Sequence, residues 1–379
     1  MRLLSVVGAR PQFVKIAPVC RAIEAHNAGG GEPVEDLIVH TGQHYDPGMS
    51  DVFFEELQIP RARFHLGVGS GPHGVQTARM LEGIEALLLE HRPDAMVVYG
   101  DTNSTIAGAL AAAKLHVPVV HVEAGLRSFN RNMPEEINRI ATDHMSDLLL
   151  APTPTAMRHL QAERLADRAV FTGDVMLDAV RHNLALAAAR SRVLGQLGLE
   201  PDGYAVVTLH RAENTTGERL EQALGILNAV ADSGLTLVFP VHPRTRAMLD
   251  KGVGRWQPHP RLKLVAVLGY LDMLWAVHHA RLVLTDSGGL QKEALFLGTP
   301  CITLREETEW LETVEAGGNV VTGLDAERVM LAVRRFAAAG AAQARPEPSD
   351  LGPWFGDGRA AERIVAETLR LLAGRRGAA

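Results

Sequence analysis

The chain has 379 residues, of which 46% are hydrophobic, and a formal net charge of −6, with a mean hydropathy near zero. That length favours two domains over a single core, and the acid excess argues against broad affinity for nucleic acid or an anionic membrane surface. No apolar run is long enough to span a bilayer, and two isolated cysteines, Cys20 and Cys301, make no disulfide framework, so a reducing cytoplasm is the expected location.

The first apolar run, residues 2–7, reads as a strand and lacks the h-region and cleavage site of a signal peptide. It runs into Gly8-Ala9-Arg10-Pro11-Gln12-Phe13-Val14-Lys15, a strand-to-helix turn. Phe13, Ile16, Ala17, Cys20 and Ile23 then recur at helical spacing. Pro11 suits a first helical turn, and Arg10 and Lys15 would flank a helix N-terminus, which attracts anions. The plain alternative is two solvated surface cations.

Further strands are expected at 37–40, 95–99, 117–122 and 148–151 and near Val170, with helical patterns between them. Asp101, in Gly100-Asp101-Thr102-Asn103-Ser104-Thr105, follows a strand and either serves a site or caps the next helix. In His121-Val122-Glu123-Ala124-Gly125-Leu126-Arg127 a carboxylate leaves a β-branched strand, and a buried Glu so placed must be paired or functional. Met133-Pro134-Glu135-Glu136-Ile137-Asn138-Arg139 opens a helix with two acids in its first turn. Glu135 and Arg139 are four apart, so a surface ion pair competes with a functional reading there.

The second half repeats the alternation, with strands expected at 204–209, 235–240, 263–267, 282–285 and 301–304. Two such series imply an α/β protein of two doubly wound, Rossmann-like parallel-sheet domains facing across a cleft. The domains are expected at 1–172 and 173–354. The Ala-, Gly- and Pro-rich stretch 337–353 reads as a crossing loop, and the terminal segment 355–379, helical from about 358 to 372, is expected to pack back on the first domain.

In this half His210 ends a strand, within Thr208-Leu209-His210-Arg211-Ala212-Glu213-Asn214. Thr285-Asp286-Ser287-Gly288-Gly289-Leu290-Gln291-Lys292-Glu293 reads as a diphosphate cradle. Its glycines let backbone N–H groups approach a ligand, and Glu293, one turn into the helix, can grip vicinal hydroxyls. The competing reading is a helix capped by Ser287 with no ligand. No G-x-G-x-x-G follows the first strand, and the glycine-rich stretch 67–74 is read as having neither that spacing nor a strand ahead of it, so a nicotinamide cofactor is not supported. His40, His44, His278 and His279 lack the companions of a metal site. Neither cofactor nor metal is expected.

In this order, Gly8-Ala9-Arg10-Pro11-Gln12, His40-Thr41-Gly42-Gln43-His44, Gly100-Asp101-Thr102, the His121–Arg127 run, Pro134-Glu135-Glu136-Ile137-Asn138-Arg139 and Thr285-Asp286-Ser287-Gly288-Gly289 resemble the non-hydrolysing UDP-N-acetylglucosamine 2-epimerase family over residues 3–323. The resemblance implies a GT-B architecture and a cytoplasmic homodimer that takes a UDP-sugar and inverts its C2 by eliminating and re-adding UDP, without NAD or metal. It makes Asp101, Glu123, Glu135 and His210 catalytic. It assigns substrate binding to Arg10, Lys15, Gln43, His44, Arg139, Arg211, Glu213 and Asn214. His242, Arg244, Tyr270, Met273, Ser287, Gly288, Gly289 and Glu293 complete that set.

Two departures bear on these expectations. Many members have Thr-Glu-Arg-Pro-Glu where this chain has Thr308-Glu309-Trp310-Leu311-Glu312, so an arginine toward the phosphates is not carried over. Tyr45-Asp46-Pro47-Gly48 differs from members with a second, regulatory substrate site. Ser128-Phe129-Asn130 and His210-Arg211-Ala212-Glu213-Asn214 also resemble relatives acting on UDP-2,3-diacetamido-2,3-dideoxy-glucuronic acid, which remains the alternative substrate. A GT-B glycosyltransferase is the rival from another class, and three carboxylates clustered in one half fit it poorly.

Overall fold

The computed structural model describes residues 1–43, 53–254, 256–343 and 351–378. They divide into two compact units, Met1–Ala179 with Gly352–Ala379, and Val180–Leu351. No helix among the described residues is long and apolar enough to cross a membrane.

The first unit is built on a seven-stranded parallel sheet of order β3-β2-β1-β4-β5-β6-β7. Its strands are β1 (Arg2–Val7), β2 (Glu35–His40), β3 (Phe64–His65), β4 (Ala95–Tyr99), β5 (Val119–Val122), β6 (Leu148–Ala151) and β7 (Ala169–Phe171). Val6 lies opposite Val39 on one side and Val98 on the other. The central strands are apolar on both faces because helices cover both. Helix Asn103–Lys114 carries buried Ala107, Ala111 and Ala112. A Cβ on its Gly108 would lie 3.0 Å from Val98 Cγ1, so small residues let this helix sit close on the sheet.

The second unit has a six-stranded parallel sheet of order β10-β9-β8-β11-β12-β13. These are β8 (Tyr204–Thr208), β9 (Thr236–Pro240), β10 (Leu262–Val265), β11 (Leu282–Thr285), β12 (Cys301–Thr303) and β13 (Asn319–Val321). Val207, Phe239, Leu284 and Ile302 are buried against Leu224, Leu227 and Val333 from flanking helices. Each such side chain contributes roughly 1.5–3 kcal/mol on burial.

The expectation of two doubly wound parallel sheets is met, and three local expectations are corrected. The edge strands β3 and β13 span two and three residues and offer no periodicity to read. The stretch 67–74 does follow a strand, β3, and Gly69-Ser70-Gly71-Pro72-His73-Gly74 has the dinucleotide glycine spacing. It lies beside the sheet edge rather than after the central β1. The first part of the expected crossing loop is helical, because helix Ala326–Gln343 runs through its alanines.

Helix Ala360–Ala378 packs on helix Arg10–Ala28 and on β6. Asp178 accepts the N–H groups of Ala360 (3.2 Å) and Ala361 (2.8 Å) at its start. Both cysteines are buried and free. Burial pushes the Cys20 thiol well above its usual range and Cys301 up to about 12, so both behave as core residues.

Candidate active site

A doubly wound sheet opens a crevice at the carboxyl ends of its strands where the strand order reverses. That switch lies between β1 and β4 in the first unit and between β8 and β11 in the second. Gly8, Asp101, His210 and Ser287 each follow one of these four strands.

In the first unit, Gln12 ties the two turns together. Its Oε1 accepts from Gly8 N (2.8 Å) and Ala9 N (3.1 Å), and its Nε2 donates to Tyr99 O (3.0 Å) and Thr105 Oγ1 (3.1 Å). A Cβ on Gly8 would meet Thr41 Oγ1 at 2.0 Å and Ser104 Oγ at 2.4 Å, so glycine is required there. Gln43 Oε1 accepts from Ser104 N (3.0 Å) and Ser104 Oγ (2.8 Å). The Arg10 guanidinium stacks 5.0 Å from the Phe53 ring centroid.

Thr102, not Asp101, is the N-cap of helix Asn103–Lys114, which leaves the Asp101 carboxylate for other work. Arg139 grips Asp101 Oδ2 through Nε (2.9 Å) and a terminal nitrogen (2.7 Å), and its other terminal nitrogen donates to Glu136 Oε2 at 3.1 Å. Glu136 also accepts from Ser128 N (2.9 Å), Ser128 Oγ (3.0 Å) and Phe129 N (3.0 Å). Burial would raise the Glu136 carboxyl, but these donors and the Arg139 charge outweigh it and hold it below the usual range. Glu136 thus fastens the 128–130 loop, and Glu135 lies half-buried in the same first turn.

Glu123 is buried, and its Oε1 accepts from Lys15 Nζ at 2.6 Å. Its backbone has φ +72°, a region that costs a non-glycine residue of order 1–3 kcal/mol and persists where its surroundings over-determine it. Here Glu123 N and Ala124 N both donate to Leu150 O at 3.1 Å. Behind it, the fully buried His121 and Asp143 lie 2.7 Å apart.

In the second unit the buried Asp286 organises the β8 turn. It accepts His210 N at 3.1 Å, Arg211 N at 3.0 Å and Asn214 Nδ2 at 3.4 Å. Asn214 is itself fully buried, also donating to Leu304 O (3.0 Å) and accepting from Arg219 (3.2 Å). The His210 ring stays over a third exposed, with Nδ1 3.8 Å from Asp286 Oδ1 and the His242 ring centroid 6.3 Å away. Arg211 lies 4.0 Å from Glu309, which Arg305 holds at 2.9 Å. Glu213 is exposed and Met273 half-buried in helix Tyr270–His278.

Ser287 is the N-cap of helix Gly288–Phe296, with a long 3.5 Å bond from Leu290 N. A Cβ on Gly288 would lie 2.5 Å from Glu309 Oε1 and 3.3 Å from Trp310 Nε1. Glu309 and Trp310 therefore pack directly on this helix start, and the buried Lys292 ammonium sits 3.6 Å from the Trp310 ring centroid. Burial raises the Glu293 carboxyl to about 7, against the opposing hydrogen bond from Tyr270 and the charge of Lys292. Burial and then Glu293 push the Tyr270 hydroxyl well above its usual range. His44, Tyr45-Asp46-Pro47-Gly48 and the Arg244 side chain lie outside the described residues.

The structure thus gathers Lys15, Asp101, Glu123 and Arg139 with Gln12 and Glu136 in one unit, and His210, Arg211 and Asn214 around Asp286 in the other. Gln12, Glu136 and Asp286 stood inside the quoted motifs without a role. Asp143 stood outside them, and its one signal was a position four residues after Arg139 on the same helix face.

The sequence profile of the UDP-N-acetylglucosamine 2-epimerase family matches residues 29–369. The chain is 45% identical to the UDP-N-acetylglucosamine 2-epimerase homolog of Methanococcus maripaludis, over 98% of this chain and 100% of that one. It is 44% identical to the UDP-2,3-diacetamido-2,3-dideoxy-D-glucuronate 2-epimerase of Pseudomonas aeruginosa, over the same shares. The crystal structure of the Methanocaldococcus jannaschii UDP-GlcNAc 2-epimerase in complex with UDP-GlcNAc and UDP is similar to this chain with a TM-score of 0.85 at 39% identity, covering 98% and 100% of the two chains. A family profile over most of the sequence and near full-length identity of this order, joined to switch-point turns that carry the family's motifs, establish that this chain belongs to the UDP-N-acetylglucosamine 2-epimerase family.

Proposed function

We propose that the chain interconverts UDP-N-acetylglucosamine and UDP-N-acetylmannosamine by inverting C2. The hydrogen on C2 is not beside a carbonyl carbon, so direct deprotonation is hard. In the proposed route the C1–O bond breaks with its electron pair leaving on UDP, C2 loses its proton, and a 2-acetamidoglucal stays bound. Reprotonation at C2 from the opposite face and re-addition of UDP at C1 give the epimer, with no net oxidation. This calls for an acid or base on each face of C2 and for stabilisation of an oxocarbenium-like centre.

The observation that carries the reading is the Lys15–Glu123 and Arg139–Asp101 pairing, which sets two carboxylates, each against a cation, at neighbouring strand ends. Glu123 or Asp101 handles C2, Glu135 stabilises developing charge, and His210 serves the departing diphosphate. UDP is held by the Ser287–Gly289 turn and the Glu293 carboxyl, with Arg10, Arg211, His242 and Arg244 supplying cationic or hydrogen-bonding contacts. The active form is taken to be a cytoplasmic homodimer that uses neither cofactor nor metal.

The second reading, UDP-2,3-diacetamido-2,3-dideoxy-glucuronic acid as substrate, draws support from the 44% identity to the Pseudomonas aeruginosa enzyme and from Ser128-Phe129-Asn130. Incubating the protein separately with each sugar and identifying the product by NMR tests the proposal. A C2 epimer still joined to UDP is expected from UDP-N-acetylglucosamine. Turnover of the diacetamido-uronate alone would replace the first reading with the second, and release of free N-acetylmannosamine would contradict both.

A further inference from the structure

If Asp101 and Glu123 act at C2, something must fix the turns that carry them. His121, on β5, is fully buried, as is Asp143 on helix Pro134–Met145. The His121 Nε2 lies 2.7 Å from Gly100 O, the carbonyl that precedes Asp101. Its Nδ1 lies 2.7 Å from Asp143 Oδ1. The other carboxylate oxygen, Asp143 Oδ2, accepts from Gly125 N at 3.0 Å, two residues past Glu123, and from Arg127 at 2.8 Å. Arg127 is in turn held bidentately by Glu163, at 2.7 Å for each bond.

One buried cluster therefore bonds the backbone of both turns. Gly100 and Gly125 have φ of +64° and +82°. A Cβ on Gly125 would lie 2.6 Å from Ala156 O, so only glycine lets that turn approach Ala156 so closely. Burial alone would raise the Asp143 carboxyl, but the bonds and charges of His121 and Arg127 outweigh it and keep it ionised. Buried ionic clusters are weak sources of stability, because desolvation offsets their attraction. Geometric definition is what such a cluster adds, and a displacement of about 1 Å at a reacting group can cost about 100-fold in rate.

We propose that His121 and Asp143 are positioning residues for the reaction, setting the separation of the Asp101 and Glu123 turns through Gly100 O and Gly125 N. This rests on the assignment of Asp101 and Glu123 to C2 under the proposed function. His121→Asn puts an amide near the Nδ1 position, which serves Asp143 but falls short of Gly100 O. His121→Gln puts one near the Nε2 position, which reaches Gly100 O.

The expected result is a kcat reduced by about 100-fold in His121→Asn, with KM and UDP affinity within about twofold of wild type, and recovery of at least a tenth of wild-type kcat in His121→Gln. Hydrogen exchange should quicken at residues 100–104 and 123–127 in His121→Asn and Asp143→Asn and stay unchanged at 282–290. Wild-type kcat in His121→Asn would overturn the proposal. Equal losses in the Asn and Gln variants that follow the folded fraction would also overturn it. Should the wild-type protein turn over neither sugar, the epimerase reading fails by itself. Hydrogen exchange then judges the cluster, and unchanged exchange in both segments overturns it. If the His121 variants do not fold, Asp143→Asn supplies both readouts.

Discussion

Lys15 and Glu123 come from the first helix and the turn after the fifth strand, and they meet as a nearly buried ion pair with Nζ and Oε1 2.6 Å apart. A pair so placed is costly to break from one side, because the remaining charge stays desolvated. Lys15→Met is expected to destabilise the protein by about 3–5 kcal/mol. The double variant Lys15→Met/Glu123→Gln should lose less than the sum of the single losses, by at least about 1 kcal/mol. Urea unfolding of the four proteins checks this, and strict additivity would contradict the pairing.

Asp286 does for the second unit what Lys15 does for the first, although it acts on backbone. Asp286→Asn keeps one acceptor for the His210 and Arg211 N–H groups and turns an amide toward the other. A loss of about 1–3 kcal/mol in stability is expected. Epimerase kcat should fall as well, by at least about tenfold, since His210 shifts with its turn. A variant with wild-type kcat would show that the β8 turn needs no such anchor.

The raised Glu293 carboxyl gives a pH signature. Its folded value of about 7 lies above the ordinary 4.5, so between those values the folded state binds more protons than the unfolded state. Its contribution to stability is therefore fully present below pH 4.5 and is lost as pH rises through about 7. Glu293→Gln should flatten the fall in melting temperature between pH 5 and 8, a window set by that linkage. If the carboxylate form grips ribose hydroxyls, uridine, which has no titrating phosphate, should bind more tightly as pH passes 7. Glu293→Gln should remove that dependence, and an unchanged pH dependence of both properties would contradict the role.

Gly8 offers a steric test. With Thr41 Oγ1 2.0 Å from a new Cβ, Gly8→Ala forces the turn or its neighbours to move, at a cost of about 1–3 kcal/mol. A melting temperature equal to wild type would show that the turn is looser than its geometry indicates.

Much of this arrangement is legible in the sequence because strand ends announce themselves. Val and Leu runs stop at Gly8, Gly100, His210 and Asp286, and the polar residues that follow are those the switch points present. That Glu123 must be paired or functional is legible, but not that Lys15 is its partner, since the two are 108 residues apart. Long-range pairing depends on the strand order 2-1-4-5, which periodicity alone does not specify. Asp143 and His121 were illegible for the same reason, as each looks like an ordinary residue until the helix and strand are packed together. The short edge strands β3 and β13 escaped because two or three residues hold no pattern.

The most direct test of the central claim is solvent deuterium entry at C2. In D2O with UDP-N-acetylglucosamine, wild-type protein should place one deuterium at C2 of both epimers with UDP retained. Asp101→Asn, Glu123→Gln and Glu135→Gln should each slow that entry by at least about 100-fold, the scale of a lost acid or base. Full exchange in all three variants, or none in the wild-type protein, would contradict the account.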